Sequence, residues 1–177
     1  MDKNYLQKYS KDWSKKYDDE SEKIRLLLDN KIINIQHIGS TSIPGMLAKP
    51  VVDITILVDS IDNIPFFTKK LEYLGYVHKP DMSSVERIFL RKGEPVEYHL
   101  SIACSKHTFW ERQIAFRDYL KNHHEFVEEY NNLKLSNLKL TPNEDLSDLS
   151  RSTAYNKGKD NFVAKVLKLA KEEEINL

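Results

Sequence analysis

The residues best suited to chemistry lie in a glycine- and serine-rich loop in the first third of the chain. This loop, residues 39–50, reads GSTSIPGMLAKP between two short apolar segments. Small residues leave backbone N–H groups accessible to anions, which is how many proteins bind phosphate. It is not a Walker loop, because five residues separate Gly39 from Gly45 and Met46 follows. The composition alone therefore fits either an ordinary turn or a phosphate site.

An aspartate occupies the apolar segment after this loop. In a strand over residues 51–58, alternation places Asp53 and Thr55 on one face and four aliphatic residues on the other. An ionised carboxylate within an apolar strand is costly unless it is paired or binds a cation. Two explanations stay open: Asp53 binds a metal or substrate, or it is bonded to loop amides or to Lys49 at the open end of the sheet.

A later segment, residues 96–103, offers a partner for this aspartate. Its alternation places Glu97, His99 and Ser101 on one face. If the two strands are neighbours, His99 converges with Asp53. The alternative is a half-buried imidazole satisfied by ordinary hydrogen bonds, and the same ambiguity holds for His37.

The elements that position these residues follow from the spacing of apolar residues. Strands dominate the first two thirds and helices the last third, which indicates an α+β or mixed α/β sheet backed by helices. The predicted helices are 5–30, 63–74, 109–121, 124–138 and 157–174, the strands are 32–38, 51–58, 85–91 and 96–103, and the breaks are 141–142 and 150–156.

Composition limits the class of protein. At about 150 residues per domain, a chain of 177 residues is expected to form a single domain over residues 1–177. Its 27 Lys and Arg balance 27 Asp and Glu, so nucleic acid is not expected as a general partner. The single cysteine, Cys104, excludes an intramolecular disulfide. Without a signal-peptide pattern or a long apolar run, we expect a cytoplasmic protein with no membrane partner.

The string HIGSTSIPGMLAKPVVDI at residues 37–54 closely resembles the signature of the GrpB family. The resemblance continues through residues 98–100, FRDYL at residues 116–120, and positions between residues 130 and 162. GrpB proteins are similar to polymerase-β-type nucleotidyltransferases, whose core motif is Gly-Ser or Gly-Gly, a spacer, and Asp-x-Asp/Glu on a strand. The resemblance implies a nucleotidyltransferase-like fold: a mixed, mostly antiparallel sheet flanked by helices, with a helical C-terminal third.

The resemblance also implies a metal and catalytic site. Nucleotidyl transfer uses two cations about 3.5–4 Å apart, normally held by three carboxylates. Asp53 stands at the first place and Thr55, expected to face the cleft, at the second. His99 stands at the third, with Glu97 two residues away. The implied catalytic residues are Asp53 and His99, and the implied metal ligands are these two and Glu97. Because imidazole prefers other metals to Mg²⁺, the expected cofactor is a divalent metal: Mg²⁺ or Mn²⁺, with Zn²⁺ and Ni²⁺ also allowed.

The remaining implied positions would bind a nucleotide or another phosphorylated small molecule. Cations gathered on one wall of a neutral chain make a local anion site, although each also suits a structural role, such as an Arg117–Asp118 salt bridge. Two other functions stay open: a catalytically degenerate ligand-binding or protein-interaction module, and a transition-metal-binding protein. The implied phosphate- or nucleotide-binding residues are Gly39, Ser40, Thr41, Lys49, Arg87, Arg117, Lys134, Tyr155 and Lys159.

Overall fold

Five strands form one mixed sheet in the computed structural model, which describes residues 5–140 and 153–175. The order across the sheet is β1-β2-β5-β4-β3. Only β2 and β5 run parallel, and the other three neighbouring pairs are antiparallel. This confirms the predicted mixed, mostly antiparallel sheet. The strands are β1 (Asn34–Ile38), β2 (Val52–Val58), β3 (Tyr76–His78), β4 (Arg87–Lys92) and β5 (Tyr98–Cys104).

Along the chain, one α-helix comes before the strands, one lies between β2 and β3, and the others follow β5. The helices are α1 (Asp12–Leu28), α2 (Ile64–Glu72), α3 (Phe109–Asn122), α4 (His124–Lys139), α5 (Thr153–Asn156) and α6 (Lys159–Ile175). Short 3₁₀ turns cover Asp29–Lys31, Ser40–Ser42 and Pro80–Met82. Among the described helices, none is long and apolar enough to cross a membrane.

The structure differs from the predicted elements in three places. The first helix begins at Asp12 instead of residue 5, because Gln7 forms backbone hydrogen bonds of 2.8 and 3.0 Å with Ala48. Strand β3 was not predicted, since three residues are too few to display alternation. The predicted break at 150–156 contains the short helix α5. The break at 141–142 lies outside the described residues.

Strand β2 separates two apolar clusters. The aliphatic face of β2 is at most 1% exposed and packs in one cluster with α1 and α2, through Trp13, Ile24, Leu28, Phe67 and Leu71. A second cluster joins the loop between β1 and β2 to α3, α4 and α6, through Ile43, Met46, Leu120, Val127 and Phe162. This packing holds the loop next to the helices that carry several of the predicted cationic residues.

Candidate functional site

Asp53 and His99 meet where β2 and β5 pair. The parallel register sets the two residues opposite each other, and Nδ1 of His99 lies 2.9 Å from Oδ1 of Asp53. A carboxylate only accepts hydrogen bonds, so His99 donates from Nδ1. The side chains are 17% and 34% exposed, respectively. The predicted convergence is therefore present.

The loop backbone lies directly against the Asp53 carboxylate at Gly39. Gly39 has φ of +68°, and a Cβ at this position would come within 2.3 Å of Oδ2 of Asp53. Both the backbone conformation and the close approach therefore require glycine. The turn that follows is closed by Ser42, whose hydroxyl donates to the Gly39 carbonyl at 2.7 Å. Gly39 thus brings Ser40 and Thr41 beside the carboxylate.

A cavity of about 470 Å³ opens at this point, within the usual size range of small-molecule sites. Its walls come from the loop between β1 and β2, from the strands, and from α4, α5 and the start of α6. The lining residues are Leu6, Ser40, Thr41, Leu47, Ala48, Lys49, Val51, Asp53, Arg87, His99, Tyr130, Lys134, Tyr155, Asn156 and Lys159.

Lys134 of α4 is a buried cation in this wall. It is 3% exposed, donates to the carbonyl of Leu47, and its Nζ lies 3.4 Å from Oγ of Ser40. The ammonium also lies 4.7 Å from the centroid of the Tyr130 ring. Burial, together with the charge of Lys159, lowers the pKa of Lys134 to about 7. Among the described residues, its hydrogen-bond and aromatic partners are all neutral.

Lys159, the first residue of α6, is a second cation in this wall, and it is half-buried. Its Nζ lies 3.3 Å from Oδ1 of Asn156 and 3.3 Å from the centroid of the Tyr155 ring, a cation–π contact. Burial and the nearby charge of Lys49 lower the pKa of Lys159 to about 7. Both lysines would be stabilised in their charged form by an anion in the cavity.

Arg87 of β4 supplies a third cation. Its Nη1 donates to Oγ of Ser101 at 3.0 Å, and the guanidinium lies 4.7 and 5.1 Å from the ring centroids of Phe89 and Phe109. Burial lowers the pKa of Arg87, and the charge of Asp53 raises it by a smaller amount. The aromatic rings fix the guanidinium at the edge of the cavity nearest Asp53.

Two predicted site residues lie elsewhere, Glu97 being the first. It precedes the first residue of β5, so strand alternation does not govern its direction. Its carboxylate is 51% exposed and lies 3.1 Å from Nζ of Lys16. The structure does not bring Glu97 to Asp53 and His99.

The second is Arg117, which is buried in a structural role. It donates from Nη1 to the carbonyl of His37 at 3.0 Å and to Oε1 of Gln36 at 2.8 Å. Its Nε also donates to Asp118 at 2.7 Å. These contacts join α3 to β1 and include the salt bridge that the sequence allowed. Arg117 is not among the residues that line the cavity.

Thr55 does not face the cleft, and that expectation is wrong. The side chain is fully buried, and its hydroxyl donates to the carbonyl of Ser101 at 3.3 Å. Alternation does place Thr55 on the same face as Asp53. However, α3 packs on β1 and β5, the two strands that flank β2, and this part of the face is covered.

The donor atoms in the cleft do not fit a two-metal centre. No group of three or more His, Cys, Asp and Glu occurs within residues 5–140 and 153–175. Among the described residues, the cleft offers one carboxylate, Asp53, and one imidazole, His99, whereas paired divalent cations are normally held by several carboxylates. The Asp-x-Asp place that would supply the second carboxylate holds the buried Thr55.

Two asparagines of α4 hold the cavity walls together, and the sequence analysis did not identify them. Asn131 accepts from the N–H of Leu47 at 2.7 Å and donates to the carbonyl of Gly45 at 3.0 Å. Asn137 donates to the carbonyls of Tyr155 and Lys157 at 2.9 and 2.7 Å. The one available signal was the low helix propensity of asparagine at two places in a predicted helix.

This chain belongs to the GrpB family. The model of that family, described as "GrpB protein", matches residues 4–169. UPF0157 protein YqkA of Bacillus subtilis is 36% identical over 127 residues, which cover 71% of this chain and 37% of YqkA. This chain therefore spans little more than a third of that relative. The glutamate-rich protein GrpB of Alkalihalophilus pseudofirmus is 27% identical over 165 residues, or 90% of this chain and 91% of that protein.

Solved structures agree on the fold. The crystal structure of conserved protein GrpB from Enterococcus faecalis superposes with a TM-score of 0.82 at 26% identity, covering 96% of this chain and 98% of that one. Cid1 poly(U) polymerase bound to MgATP superposes with a TM-score of 0.52 at 17% identity, covering 77% of this chain and 44% of Cid1. At this identity the second likeness concerns the fold alone, which resembles that of the matched part of Cid1.

The burial of Thr55 predicts the result of rebuilding the missing carboxylate. Thr55→Asp should lower the free energy of unfolding by roughly 3–5 kcal/mol, the usual cost of an uncompensated buried charge. Thr55→Val, which loses only one hydrogen bond, should cost about 1 kcal/mol. Thermal and denaturant unfolding in chelator and in Mn²⁺ provide the measurement. Recovery of the Asp variant in Mn²⁺ would contradict the burial of this position.

The low pKa of Lys134 predicts how stability depends on pH. Between about pH 7 and 10.5 the unfolded chain holds a proton on this lysine that the folded protein lacks. Stability should therefore rise with pH in this window, by up to about 1.4 kcal/mol per pH unit for this group. We expect the stability advantage of Lys134→Met over the wild type to shrink from pH 7 to 10 in urea unfolding. A constant difference would show that Lys134 stays charged.

Proposed function

We propose that the cavity binds a nucleotide or another small molecule that carries phosphate. The observation that supports this most strongly is a pair of lysines in one wall, Lys134, which is buried, and Lys159, which is half-buried. Burying an ammonium group is costly unless an opposite charge pairs with it. The described partners of both groups are neutral. A phosphate group between the lysines would supply the missing charge and strong hydrogen-bond acceptors.

The loop adds uncharged donors beside these lysines. Ser40 lies next to Lys134, and Thr41 lines the same cavity. The hydroxyl of Thr41 lies 2.9 Å from Nε2 of His37. Burial lowers the pKa of His37 to about 4, so this imidazole is neutral near pH 7. In our proposal, Ser40 and Thr41 donate to phosphate oxygens, while His37 holds Thr41 in place.

Asp53 and His99 give the proposal its catalytic part. Asp53 holds the Nδ1–H of His99, which leaves Nε2 to accept the proton of an attacking hydroxyl. In a nucleotidyl transfer, that hydroxyl oxygen would form a bond to the α-phosphorus and pyrophosphate would leave. The cationic wall would stabilise the charge on the leaving group. These roles for Asp53 and His99 are proposals for this chain.

Binding without transfer is the second candidate function. The observation that favours it is the place of the second carboxylate, which holds Thr55, buried and bonded to Ser101. A chain that retained the phosphate-binding wall but not the carboxylate pair would act as a ligand-binding module. The two candidates share the binding site and differ in whether a bound nucleoside triphosphate is turned over.

Calorimetry and thermal melts with ATP, GTP, CTP, UTP and pyrophosphate test the shared binding step. At least one of these ligands should raise the melting temperature, because a ligand that binds only the folded state stabilises it. Lys159→Met should weaken that binding about tenfold or more, since hydrogen bonds to charged groups contribute about 1.5–3 kcal/mol.

Lys168→Met is the matched control, because Lys168 lies in the same helix with its side chain 77% exposed. It should leave the affinity unchanged. An equal loss in both variants would indicate general attraction to a basic helix. No binding of any nucleotide or of pyrophosphate would contradict the proposed function.

A further inference from the structure

We infer that the cavity takes its phosphate ligand as the free anion, and that the protein's own cations replace a bridging divalent metal. The inference rests on the proposed function, because it specifies the form in which the phosphate binds. It departs from the two-metal site that the sequence resemblance implied. Three observations carry it: the charges of the wall, the donor atoms around Asp53, and the neutral hydrogen-bond partners of the two lysines.

Charge is distributed very unevenly in the cavity. In the part of the chain that the structure describes, the lining contains one carboxylate, Asp53, and four basic side chains. The basic residues are Lys49, Arg87, Lys134 and Lys159. A divalent cation would add positive charge to a wall that already carries an excess of it. A free polyphosphate would remove that excess, so electrostatics favours the anion without its metal.

The donor atoms lead to the same conclusion. Mg²⁺ requires near-octahedral coordination by oxygen atoms, usually including one or two carboxylates and substrate phosphates. Here one oxygen of Asp53 accepts from His99 at 2.9 Å. The other lies against the backbone of Gly39. Thr55 is buried beside Ser101, and Glu97 is paired with Lys16.

Arg87 weakens the remaining attraction of Asp53 for a cation. The two charges are close enough for Asp53 to raise the pKa of Arg87 against the stronger effect of burial. A guanidinium is permanently charged and matches phosphate geometry through two parallel hydrogen bonds. We therefore assign Arg87 to the part of the phosphate chain nearest Asp53, and Lys134 and Lys159 to the part nearest the loop.

If the phosphate binds as the free anion, magnesium should not raise the affinity of the protein for ATP. Mg²⁺ neutralises part of the charge of ATP, so the magnesium complex presents less negative charge to the lysines than free ATP does. Calorimetry should therefore find ATP affinity in EDTA equal to, or several-fold above, the affinity in excess Mg²⁺. Ionic strength must be matched with NaCl, because added salt also screens the lysines. Pyrophosphate, titrated in the same way, should behave alike.

Asp53→Asn separates the two modes of binding, since it keeps the shape and an acceptor for His99 but removes the charge. If protein cations hold the phosphate, this variant should bind ATP in EDTA as well as the wild type, or several-fold better. Arg87→Met should weaken binding in EDTA about tenfold. Circular dichroism and melting temperature confirm that each variant is folded before its affinity is compared.

The outcomes are distinguishable. Binding that is tenfold tighter in Mg²⁺, Mn²⁺ or Zn²⁺ than in EDTA, and lost in Asp53→Asn, would overturn the inference and leave the proposed function standing. No binding of ATP or pyrophosphate in any of these conditions would overturn both. Equal or tighter binding in EDTA, retained in Asp53→Asn and weakened in Arg87→Met, supports both.

Discussion

In the sheet, β5 lies between β2 and β4, parallel to the first and antiparallel to the second. Parallel neighbours cannot be joined by a tight turn, so the chain between them crosses over through α2 and the far edge of the sheet. The resulting register sets Asp53 opposite His99. The antiparallel pairing of β4 with β5 places Arg87 alongside β5, where its guanidinium donates to Ser101. The geometry of the cleft thus depends on how these central strands pair.

The electrostatics of the cleft depends on burial as much as on charge. The chain has no net charge, yet among the described residues the basic ones outnumber the acidic ones around one cavity. Packing of α4 and α6 against the loop buries Lys134 and partly buries Lys159, and this burial lowers the pKa of each to about 7. The two groups can therefore respond to a ligand by taking up protons. Net charge excludes a generally basic surface, but it says little about a single cleft.

Much of the fold and part of the site could be predicted from the sequence. Alternation identified β2 and placed Asp53 on its polar face, and the later segment supplied His99. Alternation gives the face of a residue but not what covers it, so the burial of Thr55 beneath α3 was not predicted. Alternation also applies only within a strand, so it did not predict that Glu97 lies apart from Asp53 and His99. The buried contacts of Arg117 with β1 were not predicted either, because charge alone does not reveal a structural contact.

The family resemblance contributed what local pattern could not. Lys134 and Lys159 lie in helices whose many charges resemble an ordinary solvated face. Only the tertiary packing buries Lys134 and partly buries Lys159, and only the resemblance had pointed to these two positions. For the amides that hold the walls, Asn131 and Asn137, the one local signal was the low helix propensity of asparagine, which does not say what these side chains contact. Predicting such contacts requires knowing which helices meet, and that is a property of the whole fold.

Proton uptake on binding tests the central claim most directly. ATP can be titrated into the protein at pH 8, where its terminal phosphate is already ionised, in two buffers of different ionisation enthalpy. If the phosphate pairs with Lys134 and Lys159, its charge raises their pKa values, and binding should take up about one to two protons per ligand. Lys134→Met should reduce this uptake. Binding without proton uptake would contradict the account, because the ligand would then not be held by these two lysines.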